Sequence, residues 1–184
     1  MDILGALPPT RQGNRYILVI MDYFTKWPEA YALPNQEAGV VAQAFVEGFV
    51  CRHGIPEELH TDQGGNFESE LLKEVCSLLS IRKTRTTPLR PQSDGMVERF
   101  NRTIIQQLAL FTADCQDDWD EHLPYLLMAY RTSQHGATSC RPALLMYGWE
   151  LRAPVDLLYG LTSERPDGPP GKGYARQLEE GMEQ

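Results

Sequence analysis

With 184 residues, 42% of them hydrophobic, the chain is long enough for one domain with its own core. Its longest apolar run, Tyr16 to Met21, is far too short for a membrane span, and no basic, apolar leader opens it, so an intracellular chain without a membrane role is expected. A net charge of −8 is awkward for a nucleic-acid partner, so any such role depends on how the basic residues are distributed.

In chain order the pattern is mixed α/β. Asp2 is expected to end a first strand that is mostly missing. Residues 8–14, rich in Pro, Gly and Asn, read as a loop. Tyr16 to Asp22 is a β-branched apolar run typical of a central strand buried on both faces, and Trp27 to Leu33 pairs with it as a hairpin. Glu37 to His53 is helical, with Val41, Ala44, Phe45, Gly48 and Phe49 on one core stripe, stopped by Gly54 and Pro56. Glu58 to Thr61 is a short strand that delivers Asp62. Ser69 caps a helix reaching Leu79, with Leu72, Val75, Cys76 and Leu79 inward. Ile81 to Thr86 is an edge strand, and Pro88 to Gly95 has the residues of a loop.

The longest helix spans Met96 to about Thr112. Val97, Phe100, Ile104, Leu108 and Phe111 mark its buried face, with Glu98, Asn101, Arg102 and Ile105 on a neighbouring one. Trp119 to Thr132 is a further helix with Trp119, Leu123, Leu126, Leu127 and Tyr130 as core candidates. Pro142 to Tyr147 is a last short helix, ended by Gly148. The domain is expected to cover residues 1–160; 161–184, rich in Pro, Gly and charge, read as a disordered tail.

Two acids stand out. Asp62 sits at a strand end before a glycine turn and Glu98 in a helix's first turn, with 35 residues between them. Carboxylates on two rigid elements can converge on one cleft. Held about 4 Å apart they repel by roughly 4 kcal/mol at an effective dielectric of 20, so such a cluster needs a cation or a proton. Hard cations such as magnesium take oxygen ligands. Taken singly, Asp62 is also a turn former before Gly64, and Glu98 with Arg102 is an ordinary i,i+4 pair. Asp22 and Asp94 are rival carboxylates.

Between Arg82 and Arg102 six basic residues (Arg82, Lys83, Arg85, Arg90, Arg99, Arg102) face two acids, Asp94 and Glu98. That surplus suits a DNA backbone; the plainer reading is a solvated face of salt bridges. Cys51, Cys76, Cys115 and Cys140 contain no C-x-x-C pair, and the four histidines no H-x-x-x-H, so neither a zinc site nor a disulfide framework is expected. Asn101-Arg102-Thr103 matches a glycosylation sequon, read as a chance match on an intracellular helix.

The stretches Thr61-Asp62-Gln63-Gly64 with Asn66-Phe67, and Pro91-Gln92-Ser93-Asp94-Gly95 with Val97-Glu98-Arg99-Phe100-Asn101-Arg102, resemble the catalytic cores of retroviral integrases and, more closely, of gypsy-type LTR retrotransposon integrases. Met1-Asp2-Ile3-Leu4-Gly5 fits the setting of that family's first Asp, and the resemblance runs from Asp2 to about Gly160. It implies an RNase H-like fold, a mixed central sheet flanked by helices, here with its first strand truncated. It further implies that Asp2, Asp62 and Glu98 are catalytic and hold two Mg2+ or Mn2+ ions, for 3′-end processing and strand transfer of DNA. Gln92, Ser93, Arg99 and Arg102 are the expected DNA contacts; the expected partners are element ends, target DNA and further copies of the chain, working in the nucleus.

Departures are small: Ala137-Thr138-Ser139 where the family tends to Ser-Thr-Gly, and Gly5-Ala6-Leu7-Pro8 where it has Gly-Pro-Leu-Pro. The family's upstream zinc-binding domain is absent from this chain. Activity is therefore open, and the alternative is a retrotransposon-derived remnant that binds DNA or protein without catalysis. A generic RNase H-type nuclease, which cleaves an RNA–DNA hybrid, is a third reading.

Overall fold

The apolar segments of the N-terminal third form an antiparallel meander. Strands β1 (Asp2–Gly5), β2 (Tyr16–Met21) and β3 (Pro28–Leu33) pair in that order, with Asp2 opposite Val19 and Tyr16 opposite Leu33. The computed structural model describes residues 1–62, 64–85, 94–112, 116–152, 156 and 158, the side chains of Asp94 and Met96 excepted. Asp2 opens β1 and does not end it, because the residues that pair with β2 follow Asp2. Strands β4 (Glu58–Thr61) and β5 (Arg82–Arg85) form a parallel pair. The Met1 ammonium donates to the His60 carbonyl at 2.8 Å, which sets the start of β1 beside β4.

The contacts divide the chain into two units, Met1–Met21 with Pro28–Leu127, and Asp22–Trp27 with the residues from Met128 onward. In the first, β2 is buried on both faces, as its unbroken apolar run requires. Leu18 and Ile20 join Leu33, Val41, Phe45, Leu59, Phe67, Leu72 and Cys76 in one cluster. Successive strand residues alternate faces, so Ile17 and Val19, both fully buried, point the other way. Helix α4 packs against β2, and its buried Phe100, Ile104 and Leu108 lie outside that cluster, covering the second face.

The helical run after β3 is α1 (Ala38–Gln43), a π-helical stretch (Ala44–Val50) and the turn α2 (Cys51–His53). A Cβ on Gly48 would stand 2.7 Å from the Tyr31 ring, so glycine lets the π-helical stretch approach β3. Helix α3 (Glu70–Leu78) is capped by Ser69, whose hydroxyl accepts from Leu72 N–H at 3.3 Å. Helix α4 (Asp94–Phe111) starts two residues earlier than the apolar pattern implies, so Asp94 and Gly95 belong to it and not to the loop; residues 88–93 lie outside the described residues. Phe111 is 60% exposed and not inward, because it lies beyond Leu108, the last buried apolar side chain of the helix.

Helix α5 (Trp119–Thr132) buries Trp119, Leu123, Leu126 and Leu127, and the Trp119 indole donates to Pro8 O at 2.8 Å. Tyr130 is only half-buried. In the second unit, Trp27 takes the Tyr147 ring edge-on at 5.0 Å and the Arg131 guanidinium over its face at 4.2 Å. Helix α6 (Pro142–Tyr147) starts on its proline and ends at Gly148, whose φ of 77° suits glycine. Among the described residues no helix is long and apolar enough to cross a membrane. The expected tail, 161–184, lies outside the described residues, as does Cys115.

Candidate active site

Asp2 is the most constrained of the three expected acids. At the mouth of β1 it is half-buried; one carboxylate oxygen accepts from the Ile3 N–H at 2.7 Å, the other from the Asn101 side-chain amide at 2.5 Å. Burial pushes its carboxyl above the ordinary carboxylate range, against the Ile3 hydrogen bond, and the Asp62 charge pushes the same way. The two carboxylates are thus within electrostatic reach of each other, because Met1 lies beside His60, two residues before Asp62.

Asp62 follows the last residue of β4 and is exposed. Its Oδ1 accepts from Gly64 N–H at 2.9 Å, the local turn that Asp before glycine favours. A Cβ on Gly64 would lie 3.0 Å from that oxygen, so glycine is what lets the carboxylate fold back on its own turn. The turn-former reading of Asp62 is thus observed, and the same carboxylate remains within electrostatic reach of Asp2.

Glu98 lies in the second turn of α4 with its side chain 70% exposed, and its carboxylate faces Arg102 at 3.5 Å. A pair that long and that exposed is worth about 0–1 kcal/mol, too little to hold Glu98 against a stronger cation. Among the described residues no three Asp, Glu, His or Cys side chains gather at metal-binding spacing. The Asp2–Asp62 pair fits a hard divalent cation, which would relieve the repulsion between them; Glu98 joins it only by turning away from Arg102.

Helix α4 is tied to this pair by Asn101, one turn beyond Glu98. Asn101 is 6% exposed and reaches Asp2 across 99 residues of sequence. Its placement on the face neighbouring the buried one is thus corrected, and its burial leaves the glycosylation sequon inaccessible. The signal was present: Asn101 falls four residues after Val97 and three before Ile104, the spacing of the buried stripe. A polar side chain on such a stripe calls for a partner.

The basic segment is less free than its composition implies. Arg82 pairs with Glu58, Lys83 with Glu68 at 2.9 Å, and Arg102 with Glu98. The Lys83 hydrogen bond and charge hold the Glu68 carboxyl below its ordinary range. The Thr84 hydroxyl and then Arg82 do the same for Glu58. Arg85 and Arg99 are exposed; Arg90, Gln92 and Ser93 lie outside the described residues.

The chain is similar to known proteins in sequence and in fold. The family model for the integrase core domain matches residues 1–91. The chain is 37% identical over 145 residues to the Gag-Pol polyprotein of feline leukemia virus, covering 77% of this chain and 8% of that one. It is 28% identical over 166 residues to the retrovirus-related Pol polyprotein from transposon 412 of Drosophila melanogaster, covering 90% of this chain and 12% of that one. The chain thus spans about a tenth of these relatives' length. Its fold matches the HTLV-2 integrase catalytic core domain, solved in complex with magnesium in a trimeric form. The TM-score is 0.63 at 18% identity, over 79% of this chain and 94% of that one. Residues 1–91 thus match an integrase core domain, the relatives are retroviral and retrotransposon polyproteins, and the fold is that of integrase catalytic cores, RNase H-like.

Proposed function

We propose that this chain is a metal-dependent polynucleotidyl transferase of the integrase type, with Asp2, Asp62 and Glu98 as its metal-holding and catalytic acids. The observation that carries the reading is the hydrogen bond from the Met1 ammonium to His60 O at 2.8 Å, which sets Asp2 beside the end of β4 that leads into Asp62. The Asp62 charge adds to the burial that raises the Asp2 carboxyl above its ordinary range, and perturbed acids of this kind cluster at functional sites. Bound there, two Mg2+ or Mn2+ ions supply activation of a water or DNA 3′-hydroxyl and stabilisation of the departing 3′-oxygen. The chain's own part is to hold Asp2 and Asp62 on strand ends, present Glu98 from α4, and grip the DNA backbone with Arg99 and Arg102. Gln92 and Ser93 belong to the same proposed contact. Copies of this chain assemble on element ends and target DNA in the nucleus.

One observation favours a second reading, a remnant that binds without cutting: Glu98 faces Arg102, and no three acids gather. Nicking of a duplex oligonucleotide with Mn2+ separates the two. The catalytic reading expects nicking by wild type and its loss, by a hundredfold or more, in Asp62→Asn. Equal, negligible nicking by both proteins supports the remnant. Cleavage of an RNA–DNA hybrid in preference to the duplex would point to the RNase H-type reading.

A further inference from the structure

We infer that Trp149, seated on Tyr147, is a stacking platform for an unpaired base of single-stranded DNA, with the Arg152 guanidinium available to its backbone. The inference goes beyond the proposed transfer reaction. It needs neither metal nor the three acids, and it holds equally for a protein that binds without cutting.

In the second unit an aromatic ladder climbs from the interior to the surface. Trp27 is 4% exposed, Tyr147 meets it edge-on at 5.0 Å, and Trp149 stacks on Tyr147 at 5.5 Å with 20° between the ring planes. The indole at the top is 54% exposed. With one face on Tyr147, an exposure that large is that of the opposite face. A core tryptophan gains free energy by burying its area; Trp149 leaves more than half of its surface in water, so packing does not account for it. The ring is nonetheless anchored. The next residue, Glu150, pairs with Arg141 at 3.0 Å, which ties the segment after α6 to the residue that precedes the helix. An anchored ring loses little freedom when a ligand settles on it. Charge then selects the occupant. Arg152 is exposed, makes no ion pair among the described residues, and lies three residues on, so at most about 11 Å away between α-carbons. An open indole face with a cation in reach suits a base on a phosphate chain, since every base has a π-face and the backbone is anionic. Bases within a duplex already stack on one another, so the platform is offered to an unpaired one. In a chain of net charge −8, stacking also supplies affinity that does not depend on cations.

The chain carries its own reporter. Of its three tryptophans, Trp27 and Trp119 are 4% and 3% exposed, so quenching by an added strand reads Trp149. A short oligothymidylate, titrated into the protein in EDTA, should quench the emission of the exposed indole, and a blunt duplex of the same length should not. Trp149→Ala should lose about fivefold or more in affinity for the labelled strand, followed by fluorescence anisotropy, while Trp149→Phe keeps most of it. Arg152→Ala should lower the slope of log K against log salt by about 0.7, as loss of one phosphate contact on a single strand does. An unquenched wild type, or wild-type affinity in Trp149→Ala, overturns the inference. Unchanged affinity together with lost self-association in Trp149→Ala also overturns it, and assigns the indole to a second copy of the chain. With no metal present, either failure leaves the proposed nicking reaction untouched, and a protein that binds the strand through Trp149 without nicking duplex leaves this inference standing.

Discussion

Asp2 and Asp62 show how a site can cost its fold something. The folded-state pKa of Asp2 is raised, first by burial and also by Asp62. Such a group contributes stability below the ordinary carboxylate range, and that contribution is lost as pH rises through the folded pKa. At neutral pH the pair is therefore a net cost. Asp62→Asn keeps the oxygen that accepts from Gly64 N–H but removes the charge. It should lower the Asp2 pKa, read from carboxyl carbon shifts in an NMR pH titration, and leave the pH 7 melting temperature equal or higher. A lower melting temperature would mean that the two carboxylates do not repel. Gly64→Ala tests the turn itself: its Cβ would meet Asp62 Oδ1 at 3.0 Å. Nicking should fall tenfold or more with little change in stability; unchanged nicking would show that the conformation of Asp62 does not matter.

Elements were legible where one pattern decides them. β2 follows from an apolar β-branched run, β4 from a short segment between Pro56 and Gly64, and α3 from its Ser69 cap and inward Leu72 and Cys76. What escaped depends on contacts far along the chain. The π-helical stretch arises where Gly48 meets Tyr31, and the burial of Asn101 where it meets Asp2; neither partner is visible in local periodicity. Phe111 shows the converse, since spacing extends the stripe past the last buried apolar side chain. Helix α4 supplies the test. Phe100→Ala should cost about 3–5 kcal/mol in chemical denaturation, as large core truncations do. Phe111→Ser, at a 60% exposed position, should stay within about 0.5 kcal/mol of wild type. Similar losses for the two would mean that α4 buries a different face.

For the whole molecule, the charge of −8 and the proposed DNA partner must be reconciled. Arg82 and Lys83 are already engaged by Glu58 and Glu68, so the proposed DNA contact would rest on fewer cations than composition implies: Arg99, and Arg102 once released from its loose pair with Glu98. Replacing either by Ala should weaken binding uniformly across sequences and reduce the slope of log K against log salt by about 1. Wild-type slopes in both variants would remove them from the interface. The same economy applies to the acids. Repulsion between Asp2 and Asp62, and a loose Glu98–Arg102 pair worth about 0–1 kcal/mol, are what the proposed cation site rests on. A crystal soaked in Mn2+ and measured at the manganese absorption edge tests this most directly. Anomalous density between Asp2 and Asp62, with Glu98 turned from Arg102 to join it, is expected. Manganese absent from those carboxylates, with Glu98 still on Arg102, would contradict it.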